Sequence, residues 1–168
     1  MSSYPWIFAC LALALPSAAL AAEDPGKAKI ALISVTVYHA TNENPKTSGL
    51  KTAAVSRETK DRLGGEKRLR FNHYGMLGQD SQPLLRSYES WAQPLRPSDE
   101  VMVKFEAQSK PTKKSAILDL ELWLAHKKIL KTDAHLEGKR PLFVLGPEYR
   151  GGRLIIAVAL ATEPKPAP

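Results

Sequence analysis

Four histidines, two acids spaced two apart and three clusters of Lys and Arg are the parts of this 168-residue sequence that could do chemistry. The histidines are His39, His73, His126 and His135. A zinc site takes three or four ligands at spacings that let them converge. No His-x-x-x-His or Glu-x-x-His pair is present, so each histidine is expected in a core or surface role. No metal and no cofactor are expected.

Asp119 and Glu121 share one face of an alternating run. Two carboxylates flanking a cleft can hydrolyse a glycosidic bond. Here Trp123 follows on the same face, and the pair is expected on a solvated outer surface. No serine sits in a Gly-x-Ser-x-Gly elbow. The stretch Gly146 to Arg153, GPEYRGGR, has the glycines of a phosphate loop but no Gly-Lys-Ser/Thr opening a helix. An apolar run follows it, so a hairpin turn is expected, with Arg150 and Arg153 as its possible anion contacts. No catalytic residue is assigned.

The formal charge of +7 favours anionic partners. The densest cluster is Arg57, Lys60, Arg62, Lys67, Arg68 and Arg70. Arg57 and Lys60 fall on one face of a helix, and Arg68 and Arg70 on one face of a strand. Those four are the candidate contacts with an anionic partner. The clusters Lys110/Lys113/Lys114 and Lys127/Lys128/Lys131 fall at turns at opposite ends of one strand. That separation breaks any continuous basic stripe, and no aromatic interleaving accompanies it, so nucleic acid is not expected.

The amino terminus sets the expected compartment. An apolar run from Trp6 to Leu15, then Pro16 and Ala19-Leu20-Ala21, precedes the first acids, Glu23 and Asp24. This is the pattern of a cleaved export signal over residues 1–22. The run falls short of the ~20 apolar residues that span a bilayer, so no transmembrane segment is expected after cleavage. Cys10 lies inside the run, not at its end as lipidation requires. It is the one cysteine, so the mature chain can form neither a disulfide nor a thiolate site. No Asn-x-Ser/Thr acceptor occurs. A bacterial periplasm or a secreted state is expected.

These residues need elements to hold them. Residues 30–40 read as a strand expected to be buried on both faces. Residues 50–63 read as a helix, with Ser48 as cap and Gly64-Gly65 as stop. Strand-like alternation begins at Lys67, and Asp80-Ser81 reads as a turn. Further strands are expected in LLRSYESWAQPL and in Val101 to Ala107. Leu118, Leu120, Leu122 and Leu124 line the inner face of a hairpin whose return is Leu130, Thr132, Ala134 and Leu136, turning near His126-Lys127-Lys128. PLFVLG is a short strand and RLIIAVALAT a last one. Residues 163–168 have nothing to bury and are expected to be disordered.

The fold class is therefore α+β. One domain over residues 29–162 is expected, a mostly antiparallel β-sheet or two packed sheets, with one helix lying on a sheet. The functional expectation is a non-enzymatic binding or assembly module of the cell envelope. Its partner would be an envelope protein, an anionic polymer or a membrane surface. A hydrolase acting on an envelope polymer is the alternative. A small-ligand binder using Tyr74, Tyr88, Trp91 and Trp123 is the second alternative.

Overall fold

A computed structural model describes residues 23–109, 111, 112 and 114–161. The expected export signal, the Pro-rich tail, Thr162 at the expected domain boundary, Lys110 and Lys113 lie outside these residues. The centre of the first sheet is β1 (Lys29–Thr41). Its β-branched Ile33, Val35 and Val37 are buried on one face, and Tyr38 and Ala40 on the other. Flanking it are β2 (His73–Leu85) and β8 (Gly152–Ala161), and β7 (Leu142–Tyr149) completes the order β2-β1-β8-β7. The second sheet keeps sequence order: β3 (Ser90–Ala92), β4 (Val101–Ala107), β5 (Ser115–Leu124) and β6 (Lys127–Glu137). All the pairings are antiparallel, as short links between strands require.

The two sheets pack face to face. Ile33, Val35, Val37, Ile156 and Val158 of the first meet Val103, Phe105, Leu118, Leu120 and Leu122 of the second. Burying each such side chain contributes about 1.5–3 kcal/mol, so this layer dominates stability. A second, smaller cluster lies on the outer face of the first sheet. There α1 (Arg57–Gly65) buries Leu63 against Tyr38, Ala40, Ile155 and Ala157, with Val55 and Leu69 beside it.

The helix is shorter than the sequence suggests. Its cap is Ser56, whose hydroxyl accepts the Thr59 N–H at 3.2 Å. Ser48 ends a short 3-10 turn, Pro45–Ser48. Residues between the two are not helical, because Ala53 pairs with Met76 at the outer edge of β2 and takes its backbone out of helix. Residues 67–72 are not a strand either. They form a tight turn with Leu69 buried, and β2 starts at His73.

No turn occurs at Asp80-Ser81; β2 runs straight through it. The Asp80 carboxylate accepts the Gln93 N–H at 2.8 Å, so it joins the first sheet to the chain leaving β3. Gly78 makes this corner possible. A Cβ there would stand 2.1 Å from the Pro94 carbonyl oxygen, an impossible distance. Similarly, β7 continues through Gly146-Pro147 to Tyr149, with a register shift between Leu145 and Glu148. The expected hairpin turn is confined to Arg150-Gly151, both at positive φ. In the β5–β6 hairpin the two-residue turn is Ala125-His126, one position earlier than expected, and both residues again have positive φ. Such turns match the twist of the strands they join.

Candidate functional site

The helix exit carries the densest basic cluster and is held in a fixed shape. After α1, the Glu66 N–H donates to Leu63 O at 3.2 Å, and the Leu69 N–H to Glu66 O at 2.9 Å. Leu69 points into the outer cluster, which turns its neighbours Arg68 and Arg70 to solvent. The Tyr74 hydroxyl pins the turn twice. It donates to Leu69 O and accepts the Phe71 N–H, each at 2.8 Å. Arg70 Nε donates to Gly64 O at 2.8 Å, satisfying a carbonyl at the helix C-terminus, where a cation is favoured.

Across from this turn stands β7, an edge strand. Its alternation divides two apolar layers. Leu142 and Val144 pack on the core between the sheets, while Phe143 and Leu145 join the outer cluster. Arg62 of α1 reaches over to it. The guanidinium lies 5.3 Å above the Phe143 ring, a cation–π distance, and Nη2 donates to Pro141 O at 3.4 Å.

Between turn and strand opens a cleft of about 860 Å³. Leu69, Phe143 and Leu145 give it an apolar floor, and Arg62, Lys67 and Arg68 a basic rim opposed, among the described residues, by Glu66. Among the described residues, Lys67 and Arg68 make no ion pair and no side-chain hydrogen bond. Their charge, in no ion pair, lies beside a low-dielectric floor, where attraction to an anion is stronger than in open water.

The four candidate contacts do not form one surface. Arg57 stands fully exposed at the start of α1 and faces Asp61 at 3.8 Å. Lys60 borders a different cleft, with His39, His73 and Tyr74. Arg70 is committed to Gly64. Only Arg68 reaches the floor described above; Arg62 and Lys67 join it there. The strand face assigned to Arg68 and Arg70 is replaced by a turn with Leu69 at its base. Phe143 and Leu145 went unrecognised as site residues. Their signal was present in PLFVL, where both faces of the strand are apolar.

Comparison with protein-family models, curated proteins and solved structures finds no match for this chain. The chemistry of the site therefore carries the reading. Among the described residues, the cleft lining supplies one carboxylate and no histidine, serine or cysteine. Among the described residues, no three His, Cys, Asp or Glu side chains gather closely enough to hold a metal ion. His39 is buried with Nε2 3.0 Å from Tyr149 O, a structural contact. No described helix is long and apolar enough to cross a membrane. The cleft can grip an anionic group by charge and an apolar group against Phe143.

Proposed function

We propose that this protein is an exported, non-enzymatic binding module of a bacterial cell envelope, which docks an acidic segment of a partner protein in the Lys67–Arg68 cleft. The observation that carries the reading is that Lys67 and Arg68, on a pinned turn and without an ion-pair partner among the described residues, line one cleft with Phe143 and Leu145 of edge strand β7. Edge strands accept an added strand by main-chain hydrogen bonds, and side-chain contacts give it specificity. An acidic segment with alternate apolar residues matches both features. The export pattern over residues 1–22 supports an envelope location. The hydrolase alternative has less support, since the cleft offers one carboxylate and glycoside hydrolysis takes two.

The test is fluorescence anisotropy with a labelled acidic peptide of alternating Glu and Val or Leu. Saturable binding that a charge-reversed peptide lacks supports the reading. Capture by anionic lipid vesicles without peptide binding would move the partner to a membrane surface.

A further inference from the structure

The outer face of the second sheet repeats one short pattern: Glu89-Ser90-Trp91 entering β3 and Glu121-Leu122-Trp123 on β5. In each, the indole N–H donates to the carboxylate two residues before it, at 3.1 Å for Trp91 and 3.0 Å for Trp123. The rings meet across β4, with centroids 5.6 Å apart at 59°. Lys104 pairs in register with both Trp91 and Glu121, and Met102 with Trp123. The two indoles therefore form an open V above β4, and both remain partly exposed.

The surroundings lock this arrangement. Lys104 Nζ lies 2.8 Å from Glu89. Lys128 and Lys131 lie 3.3 Å and 3.6 Å from Glu121, and Lys131 lies 2.7 Å from Asp119. His126 stands 3.7 Å from Asp99 at the mouth of the recess between the rings. Glu121 is 4 % exposed, so it is not half of a solvated acid pair; neighbouring side chains roof it. Burial opposes its ionisation. The hydrogen bonds from Trp123 and Lys128, with the charges of Lys104 and Lys128, outweigh that and hold its pKa below the usual carboxylate range.

Two consequences decide what this face fits. The indole orientations are fixed in advance, so a ligand need not order them. Glu89, Asp119 and Glu121 already face Lys104, Lys131 and Lys128, so the rim offers donors and acceptors whose charges largely offset one another. A free anion would meet Glu89 and Asp99, and a free cation Lys104 and Lys128. An apolar indole face with a rim of paired charges complements a pyranose. The ring's positively polarised C–H face stacks on the electron-rich indole, and its hydroxyls meet the rim. We propose that the Trp91–Trp123 face binds a neutral sugar unit of an envelope glycan. This site lies on the opposite face of the sandwich from the basic cleft and does not depend on it.

Of the three tryptophans in the sequence, only Trp91 and Trp123 follow the export signal, so intrinsic fluorescence of the mature chain reports this site alone. The probes are neutral tetrasaccharides of gluco, manno, galacto and N-acetylglucosamine configuration. At least one should give a saturable fluorescence change below about 10 mM, unmoved by salt because no net charge is engaged. It should also shield both indoles from acrylamide in the wild-type protein, a readout that needs no variant. Trp91→Ala should weaken binding roughly tenfold or more, as loss of a central aromatic contact does. No saturable change with any probe, quenching unaltered at saturation, or full binding by a folded Trp91→Ala protein would overturn the proposal.

Discussion

Asp80 and Gln93 stand 13 residues apart, yet the Asp80 carboxylate accepts the Gln93 main-chain N–H at 2.8 Å and so closes one corner of the sandwich. The same carboxylate accepts the Ser81 N–H at 2.9 Å and faces Arg96 at 3.3 Å. Burial opposes its charge, but the bonds from Gln93, Gln82 and Ser81, and then Arg96, prevail and lower its pKa from the ordinary 3.8.

A carboxylate with a depressed folded pKa contributes stability above its unfolded pKa. That contribution is lost as pH falls through the folded value. Asp80→Ala should cost about 1–3 kcal/mol near neutral pH, since it strands the Gln93 N–H. The cost should shrink in acid below the ordinary carboxylate range. Urea melts at neutral and acid pH, wild type against variant, check both statements.

Glu121 should matter more than an acid on an outer face usually does. Glu121→Ala removes the partner of Trp123, Lys128 and Lys131 together. It should lower the denaturation midpoint clearly, while Glu137→Ala, exposed at the end of β6, should leave it unchanged. As a scale for the same sheet, Leu120→Ala at a 2 % exposed position should cost about 2–5 kcal/mol. Equal midpoints for Glu121→Ala and wild type would contradict the roofed network.

The β5–β6 turn stores strain. Ala125 has φ 47° and His126 φ 62°, a region in which Ala is disfavoured and Asn tolerated. Ala125→Asn should stabilise the protein by about 0.5–1 kcal/mol, a part of the left-handed cost. The Ala125 N–H bond to Glu100 O at 2.8 Å is main-chain and survives the change. A calorimetric melt reads the result.

Alternation made much of this fold legible. Val101, Val103 and Phe105, and Leu118, Leu120 and Leu122, all lie where period two places them. What alternation hides is where side chains from distant strands go. Asp80-Ser81 has the composition of a turn, but its carboxylate bonds across the sandwich corner and the strand continues. The apolar residues after Leu50 look helical, yet Ala53 pairs with β2 and leaves α1 to start at Arg57, capped by Ser56. Glu121 reads as solvated because its cover comes from Trp123 and from β6 across the strand pairing. Arg68 could be picked from its cluster. Its apolar floor shows in PLFVL only as a strand apolar on both faces; that Phe143 lies beside Arg68 comes from the sheet order, far along the chain.

Lys67 and Arg68 carry the central claim, and reversing them to Glu tests it most directly. Among the described residues, neither side chain makes a hydrogen bond or ion pair, so Lys67→Glu/Arg68→Glu should melt like the wild type. Binding of the acidic peptide should fall at least roughly tenfold in this variant, and wild-type affinity should weaken steeply from about 20 mM to about 500 mM salt as the charges are screened. Arg70→Glu should instead lower stability, because Arg70 holds Gly64 O. Equal, salt-insensitive affinity of wild type and Lys67→Glu/Arg68→Glu, with both proteins folded, would contradict docking through this cleft.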